Sequence, residues 1–426
     1  MTTQRRSFLR QLGVGAVTAT FGAQALARVA AATARLGPVA PEDAACNEDF
    51  WFAIQEAFTT DRSLLNLNNG GVSPSPRPVQ EALARYNAYS NLAPAYTMWA
   101  VIQPQKEVVR EQLARMFGCS NEEIAITRNS SEALETVIFG LELNAGDEVV
   151  LTNQDYPNMR NAWNQRALRE GVVVKAVSIP TPCEDHDEIV RRYEQAIGPR
   201  TRVLHLCHVI NLTGQVLPVR RLCELGRARG LEVIVDGAHA FAQLDFKRDD
   251  LQCDYYGTSL HKWLTAPFGT GFLYVRKDKI GPLWPMFAPE KPRSDDIRKF
   301  ESYGTHPVPI VIAIGDAVAF HEGIGSRRKE ERLRYLRDYW AKPLCEVPRI
   351  RFHSSFQREY SCAIATVEIE GMEPADVHKA LFEKHRIYTT GIVHDEFKGI
   401  RVTPNVYTTL GDLDRFVAAM REIAAA

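Results

Sequence analysis

The sequence predicts an α/β fold in which a large domain with a mostly parallel central sheet is followed by a smaller α/β C-terminal domain. Three observations lead to this prediction. Short apolar segments alternate with helical segments between residues 124 and 275, a succession typical of parallel sheets. Several of these segments end in a polar side chain, as Val233–Asp236 does, and such sheets bind ligands at the carboxyl ends of their strands. The chain of 426 residues is also long enough for two domains.

Hydrophobic periodicity and turn residues place the elements along the chain. The helices are predicted at Glu48–Thr59, Val79–Tyr89, Pro104–Met116, from about Ser131, and at Glu188–Ala196, Val219–Arg229, Ile310–Gly323, Arg327–Ala341, Pro374–Lys384 and Leu410–Ala424. The strands are predicted at Ile124–Thr127, after Gly146, and at Val172–Ile179, Arg202–Val209, Val233–Asp236, Gly269–Val275, Ser361–Ile369 and Ile400–Thr403. These elements divide the chain into a leader (1–27), an N-terminal lead-in and helix (28–60), a large domain (61–325) and a small domain (326–426).

The composition excludes several classes of function. Lys and Arg number 51 against 52 Asp and Glu, which gives a net charge of −1, and no basic block in the body of the chain points to nucleic-acid binding. The eight cysteines include no Cys-x-x-Cys pair and do not have the dense spacing of a disulfide scaffold. His205, Cys207 and His208 resemble a metal cluster, but side chains alternate along a strand and these three would not converge. We therefore predict no metal site.

The N-terminus has the pattern of an export signal. Residues 4–10 read Gln-Arg-Arg-Ser-Phe-Leu-Arg and precede the uncharged run Leu12–Ala27, which ends in small residues. This pattern resembles a twin-arginine signal peptide. The alternative is a membrane anchor, for which a run of about sixteen weakly apolar residues is short. The signal predicts a periplasmic protein that has no membrane segment after the signal is removed, with residues 28–44 as a mobile alanine-rich lead-in.

The stretch Val233–Trp263 carries the residues that indicate chemistry. A buried parallel strand would present Asp236 at its carboxyl edge, and a polar loop then brings Ser259, His261 and Lys262 close together. A pyridoxal phosphate site needs a lysine that can form a Schiff base and an acid that keeps the pyridinium nitrogen protonated. Taken singly, either residue would more often be a solvated lysine or a strand-end cap. Together they favour a cofactor site.

These motifs resemble a known family. Asp236-Gly-Ala-His239 followed by Ser259-Leu-His-Lys262 resembles the class V aminotransferase family of pyridoxal phosphate enzymes, which includes cysteine desulfurases, kynureninases and isopenicillin N epimerase-like proteins. The motifs look most like the last of these branches. The resemblance implies a fold-type I pyridoxal phosphate transferase that binds pyridoxal 5'-phosphate through Lys262. Asp236 would then face the ring nitrogen, and His239 would lie beside the phenolic oxygen of the ring.

The resemblance also implies how the rest of the cofactor is held. A helix that starts near Ser131 would offer free N–H groups and a positive dipole end to the phosphate. The matching positions for phosphate contacts are Ser130, Ser131, Ser259, His261 and Thr305. Tyr156 matches the position of a histidine or aromatic ring stacked on the cofactor, and Asn211 would hydrogen-bond near the phenolic oxygen. Asn129 departs from the family, which commonly has glycine there, and a serine N-cap without function is the alternative for this turn.

Two further segments concern the substrate. Arg401 in Gly399-Ile-Arg-Val-Thr-Pro404 matches the arginine that binds the substrate α-carboxylate through two parallel hydrogen bonds; the alternative is a surface arginine. The segment with Gly70-Gly71 would line the substrate side of the pocket, or would simply join two domains. The partner is thus expected to be a small amino-acid-type substrate.

The family likeness implies an enzyme that acts at the α carbon of an amino acid or amino-acid-bearing compound, either an aminotransferase or an isopenicillin N epimerase-like enzyme. Lys262 would be the acid and base at that carbon. Desulfurases carry a cysteine on the loop before the carboxylate arginine, and Thr389–Lys398 contains none. Two alternatives stay open: β-elimination of the C–S lyase or desulfurase type, and an exported cofactor-binding protein without turnover.

Two features depend on residues far from Lys262. Epimerisation needs a second proton donor opposite this lysine, and Tyr96, Tyr303 and His394 are candidates. The segment Phe300–Pro307 resembles a family element that reaches the phosphate of the neighbouring subunit, although one extra residue interrupts the family pattern. Thr305 would then cross the interface of a homodimer.

Overall fold

The computed structural model of the chain describes residues 24–426. Residues 1–23 of the predicted signal peptide, which spans residues 1–27, lie outside the described residues. The lead-in that the sequence predicts to be mobile is instead helical, because α1 includes residues 24–36 and buries Val29 and Ala32 against the core. Alanine favours helix formation, and residues three apart share one helical face. The alanine-rich composition therefore gives a packed helix once a core is present to bury that face.

Helices and strands alternate along the described chain. Beyond α1, the helices are α2 (Pro41–Ala45), α3 (Glu48–Gln55), α4 (Arg77–Ser90), α5 (Lys106–Phe117), α6 (Ser130–Gly140), α7 (Pro157–Glu170), α8 (His186–Ala196), α9 (Val219–Ala228), α10 (Arg248–Leu251), α11 (Lys277–Ile280), α12 (Val308–Ile312), α13 (Ile314–Ile324), α14 (Ser326–Cys345), α15 (Pro374–His385) and α16 (Leu410–Ala425). Other helical segments are a π-helix at Ala95–Ile102 and 3-10 turns at Gln103–Gln105, Asn121–Glu123 and Ile297–Glu301. The strands are β1 (Leu65–Asn66), β2 (Ile124–Thr127), β3 (Glu148–Thr152), β4 (Val173–Val177), β5 (Thr201–Cys207), β6 (Glu232–Asp236), β7 (Tyr255–Ser259), β8 (Gly271–Val275), β9 (Ile350–Phe352), β10 (Ala365–Ile369), β11 (Ile387–Tyr388), β12 (Thr390–Val393) and β13 (Lys398–Val402).

Seven strands form the main sheet, in the order β2-β8-β7-β6-β5-β3-β4. The pairs from β7 through β6, β5 and β3 to β4 are parallel, whereas β8 runs antiparallel to β2 and β7. Both faces of the sheet are covered: Ile124 and Ile126 belong to one hydrophobic cluster, and Ala125, between them, belongs to another. Covered faces explain why the central strands are continuous apolar runs. The predicted α/β class with a mostly parallel sheet is confirmed.

The C-terminal unit has its own sheet and core. Its four strands pair antiparallel in the order β12-β13-β10-β9, and Trp340 of α14 packs edge-on against Phe416 of α16. The short strand β1 pairs in parallel with β11, so that Leu65 and Leu67 join this core. These residues fall within the stretch 61–325 that the sequence predicts for the large domain. Local periodicity could not reveal this, because the partner strand lies more than three hundred residues further along the chain.

Helix α14 connects the two cores. Leu333 packs in the cluster of the main sheet, and Leu336, one turn further on, packs in the C-terminal cluster. Within residues 24–426 we find no single helix with the length and apolar character of a membrane span, although Val308–Ile324 and Ser326–Cys345 meet both criteria as a pair bent by 76°.

Candidate active site

Asp236 lies at the carboxyl edge of the main sheet, where β6 ends. Register pairs it with Cys207 on β5 and with Gly257 on β7, so it is central in the sheet. The residue is only 5% exposed, and its Oδ1 atom accepts a hydrogen bond from the Ala238 N–H at 2.9 Å. Burial raises the pKa of Asp236 above its usual range, while that hydrogen bond and the nearby Lys262 amine oppose the increase. A carboxyl in this position can hold a proton shared with a buried cationic ring nitrogen.

Lys262 follows β7 in a loop, and its amine points to the same place. Its Nζ atom lies 3.2 Å from Nε2 of His239 and 6.0 Å from the ring centroid of Tyr156. Burial of the amine lowers the pKa of Lys262 to about 8, Asp236 opposes this shift, and Arg401 adds to it. Burial, together with the positive charges of Lys262 and Arg401, holds the pKa of His239 well below its usual range. The two side chains thus form a contact in which His239 is neutral at neutral pH.

The residues predicted to hold a phosphate meet at the start of α6. The Ser259 Oγ atom accepts from the Ser130 N–H at 2.9 Å, and the two hydroxyl oxygens are 3.0 Å apart. Ser131 and His261 are half-buried beside them, and Nδ1 of His261 lies 3.2 Å from the Thr270 carbonyl oxygen. A helix start with paired hydroxyls is suited to an anion.

The turn before α6 does not need the glycine that is common in the family. Asn129 is extended, with φ −174° and ψ 179°, and its side chain accepts from the Glu132 N–H as an N-cap. Extended backbone is open to any residue. A glycine is needed instead on the neighbouring strand, since a Cβ atom on Gly271 would lie 2.8 Å from the Asn129 Cα atom.

Arg401 lies on β13 and reaches from the C-terminal unit into the same site. Its Nη1 atom donates to the Asn211 carbonyl oxygen at 2.9 Å, and Nη2 donates to Oδ1 of Asn68 at 2.7 Å. The guanidinium is buried, which lowers the pKa of Arg401 to about 10. Asn68 is a site residue that sequence reasoning missed. The signal was the adjacent Gly70-Gly71: a Cβ atom on Gly70 would lie 3.4 Å from Cε1 of His239, so this backbone approaches the site closely.

Four other predicted residues make no hydrogen bond to Lys262, His239 or Arg401 within residues 24–426. Thr305 is exposed, and no hydrogen bond within residues 24–426 joins it to the residues around Lys262. Tyr96 is 69% exposed, and Tyr303 packs edge-on against His306. His394 lies 3.3 Å (Nε2) from the Asn153 carbonyl oxygen, one of the residues leading to Tyr156.

Several buried polar atoms in the cluster have no hydrogen-bond partner among the described residues. They are Asn211 Oδ1, His239 Nδ1 and Arg401 Nε. Buried polar groups without a partner are costly in a folded protein. Their convergence with the Lys262 amine, the buried carboxyl and the paired hydroxyls fits a group that carries an aldehyde, a ring and a phosphate. The residues present therefore fit pyridoxal phosphate.

Comparison with known sequences agrees with this geometry. The family model for aminotransferase class V matches residues 65–397. Isopenicillin N epimerase from Amycolatopsis lactamdurans is 32% identical over 393 residues, which cover 88% of this chain and 98% of that protein. Isopenicillin N epimerase from Streptomyces clavuligerus is 29% identical, with 87% and 97% covered. A Mycobacterium leprae (strain TN) protein named "Probable cysteine desulfurase 1" is 25% identical, with 88% of this chain and 64% of that protein covered.

Solved structures share the fold. A cysteine desulfurase from Thermococcus onnurineus NA1 superposes with a TM-score of 0.78 at 21% identity, covering 89% of this chain and 98% of that one. A variant of the protein C-DES with glycine covalently linked to its PLP cofactor gives a TM-score of 0.77 at 21% identity, with 86% and 99% covered. The fold predicted from the sequence is thus the one that these pyridoxal phosphate proteins adopt.

Proposed function

The chain belongs to the class V aminotransferase family, whose cofactor is pyridoxal 5'-phosphate, and we propose that it moves a proton at the α carbon of an amino acid or of a compound that bears an amino-acid group. The single observation that carries the proposal is the contact between the Lys262 amine and His239 at 3.2 Å, in a site that also holds Asp236 and Arg401. A base, an acid and a carboxylate-binding cation are what such a proton transfer requires.

Each part of the cofactor has residues that would hold it. Asp236 would face the ring nitrogen and Tyr156 would cover a ring face, while Asn211 and His239 would offer their unpartnered polar atoms to the ring. The phosphate would be held by Ser130, Ser131, Ser259, His261 and, from a second subunit, Thr305. When bound, pyridoxal phosphate supplies a ring that spreads the negative charge left at Cα after a proton is removed. Lys262 takes and returns this proton, since its lowered pKa of about 8 lets the amine be neutral near physiological pH.

Sulfur chemistry of the desulfurase type is disfavoured by the cysteines of this chain. The loop Thr389–Lys398 contains no cysteine. Cys207 is the thiol that register places beside Asp236, but it is 3% exposed and lies 3.2 Å (Sγ) from the Val209 carbonyl oxygen. Burial raises the pKa of the Cys207 thiol well above its usual range, and Asp236 adds to the shift. A protonated, enclosed thiol is a poor nucleophile.

Epimerisation is favoured over transamination by the two relatives named isopenicillin N epimerase, which are matched over nearly their whole length. Epimerisation also needs a proton donor on the face of Cα opposite Lys262. Of the three candidates, we favour His394, because it contacts the Asn153 carbonyl oxygen, three residues before Tyr156.

Two further proposals concern assembly and location. We propose that the active unit is a homodimer in which Thr305 completes the partner's phosphate site; Thr305 is exposed and makes no hydrogen bond to the Lys262 cluster within the described chain, which supports this. We also propose export by the twin-arginine route, on the pattern of residues 4–27. Cell fractionation of wild type and of a variant with both arginines of the pair, Arg5 and Arg6, changed to lysine would test the location.

The proposed reaction is tested by hydrogen–deuterium exchange at Cα. The purified holoprotein is incubated in D₂O with separate L- and D-amino acids and with amino-acid-bearing peptides, and Cα exchange, chirality and keto-acid formation are recorded. Exchange with inversion indicates an epimerase, and exchange with keto-acid formation indicates an aminotransferase. Lys262→Ala should abolish the exchange and the visible absorbance, whereas Lys291→Ala, at an exposed lysine, should leave both unchanged. Release of sulfide, or no exchange with any compound, would contradict the proposal.

A further inference from the structure

Helix α14 carries a lysine whose amine is enclosed by the protein. Lys329 is 2% exposed, and within the described chain its Nζ atom donates one hydrogen bond, to the carbonyl oxygen of Trp263. It forms an ion pair with no carboxylate of residues 24–426. Burial without a counter-ion lowers the pKa of Lys329 to about 7. A methionine would fill similar space without burying an amine, so the lysine at this position calls for an explanation.

The acceptor of this hydrogen bond belongs to the residue that follows Lys262. The loop around it is held by contacts from distant segments: the Ser73 N–H donates to the His261 carbonyl oxygen at 3.0 Å, and the Ser75 hydroxyl donates to the Ala266 carbonyl oxygen at 3.1 Å. Lys329 holds the carbonyl between these two. Thr265 in this loop has a positive φ of 58°, which is unfavourable for a β-branched residue, so the conformation of the loop depends on contacts such as these.

The same helix also reaches the unit that carries Arg401. Within about two turns after Lys329, the Arg334 guanidinium donates to the Ser361 carbonyl oxygen, and Arg337 donates to the Ser361 hydroxyl. The segment from Ser361 leads into β10, which pairs directly with Arg401 through Thr366. One rigid helix therefore contacts the backbone beside Lys262 and the support of the carboxylate-binding arginine.

We propose that Lys329 is a positioning residue for Lys262. Its amine fixes the peptide group of Trp263. This contact keeps the Lys262 side chain directed at His239 and maintains its position relative to Arg401. The inference rests on the proposed role of Lys262. A misplacement of about 1 Å at a reacting group can cost about a hundredfold in rate, so a contact that fixes this backbone acts on catalysis without touching the substrate.

A second buried lysine provides a matched control. Lys299 is 4% exposed and donates to the carbonyl oxygens of Ile280 at 2.6 Å and Pro292 at 3.0 Å, and it makes no hydrogen bond to residues 259–266. Burial lowers its pKa to about 8. Lys299→Met removes the same kind of buried amine and the same kind of contact, so it reports what losing a buried amine does to the protein without removing a contact to residues 259–266.

The test compares wild type, Lys329→Met and Lys299→Met as full-length proteins loaded with pyridoxal phosphate. We expect amide hydrogen exchange in residues 259–266 to increase about tenfold or more in Lys329→Met and to be unchanged in Lys299→Met. The pH midpoint of the visible absorbance change should shift only in Lys329→Met, and kcat should fall about tenfold to a hundredfold with KM little changed. If Lys329→Met does not fold, Lys329→Gln, which keeps a neutral donor, is measured in the same way.

The outcomes are distinct from those that test the reaction. Amide hydrogen exchange in residues 259–266 is measured without turnover. Its result therefore does not depend on which reaction the enzyme catalyses. Absence of the visible absorbance band in the wild type would contradict the proposed role of Lys262. The amide hydrogen exchange of residues 259–266 could still be interpreted in that case. Unchanged loop exchange and an unchanged pH midpoint in Lys329→Met, or equal effects in Lys299→Met, would overturn the proposal and leave Lys329 with a role in stability alone.

Discussion

The Nζ atom of Lys262 lies 3.2 Å from Nε2 of His239, and burial lowers the pKa of both groups. Because His239 stays neutral at neutral pH, its ring accepts from the lysine amine rather than competing with it as a second cation. This contact orients the amine before any ligand binds. Pre-oriented reacting groups lower the entropic barrier of the step they take part in.

The first prediction follows from the pKa of Lys262, which is lowered to about 8. Only the neutral amine attacks an aldehyde, so the rate at which cofactor-free protein captures pyridoxal phosphate should rise with pH through a midpoint of about 8 and level off at higher pH. Stopped-flow absorbance between pH 6 and 10 measures this rate. A midpoint near 10.5, the ordinary value for lysine, would contradict the buried environment of the amine.

Two variants check the cause of that midpoint. Arg401 lowers the pKa of Lys262 and Asp236 raises it. Arg401→Met should therefore move the midpoint to higher pH, and Asp236→Asn should move it to lower pH. The same direction of shift in both variants would show that a general structural change, and not the two charges, sets the value.

The second prediction concerns the substrate carboxylate. Arg401 uses Nη1 and Nη2 to bind Asn211 and Asn68, and its Nε atom has no partner among the described residues. Arg401→Lys loses the planar pair of donors, so we expect KM for an amino acid to rise about tenfold to a hundredfold. Steady-state kinetics measure this, and the visible spectrum should be retained. Amines without a carboxylate serve as the control, since their binding should not change.

The third prediction concerns a buried ion cluster that anchors the segment leading to Thr305. Glu301 accepts from Arg110 at 2.6 Å and from the Ile126 N–H at 2.6 Å, and it pairs with Lys106 at 2.5 Å. Glu301→Gln leaves the buried Lys106 without its counter-ion and Arg110 with Glu107 as its remaining carboxylate. It should cost about 3 kcal/mol of unfolding free energy. Urea unfolding at pH 7 measures it. Glu322→Gln, which breaks an exposed pair with Arg115, should cost about 0.5 kcal/mol or less.

The pH dependence of this effect has a definite sign. Burial alone would raise the pKa of Glu301, but Arg110 and Lys106 outweigh it, and the pKa is lowered from its ordinary value of 4.5. Such a group contributes its stabilisation above its unfolded pKa and loses it as pH falls through the lower folded value. The difference between wild type and Glu301→Gln should therefore be full at pH 7 and shrink well below pH 4.5. A constant difference down to pH 3 would contradict this account.

Features encoded in short segments could be read from the sequence. The alternation of elements predicted the parallel sheet. The strand predicted at Val233–Asp236 is observed at Glu232–Asp236 and ends at the same residue. The meeting of Lys262, His239 and Arg401 depended on family likeness, since Arg401 lies more than a hundred residues from the other two. Chemistry at the ends of parallel strands can be inferred from one sequence, because the topology brings these ends together.

What sequence reasoning missed depends on contacts between distant segments. The strands β9, β11 and β12 have two to four residues each, too few to give a periodic signal. Asn68 became a site residue only because β1 pairs with β11 and brings it beside Arg401. The sequence does not distinguish Lys329 from the many other charged residues of α14, and only the packing of this helix between two cores shows that Lys329 is buried.

The last prediction tests whether Thr305 serves the neighbouring subunit. Thr305→Ala should weaken cofactor phosphate binding, and Lys262→Ala should be inactive. If each site combines Lys262 of one chain with Thr305 of its partner, a mixed dimer of the two variants contains one site with both native residues. Subunit exchange in an equal mixture should then restore about a quarter of the native sites, as half of the dimers are mixed and each has one intact site. The mixture is assayed for Cα exchange at a cofactor concentration that leaves Thr305→Ala unloaded. If Thr305 acted within its own chain, no site in the mixture would contain both native residues, and activity would stay at the sum of the two separate variants.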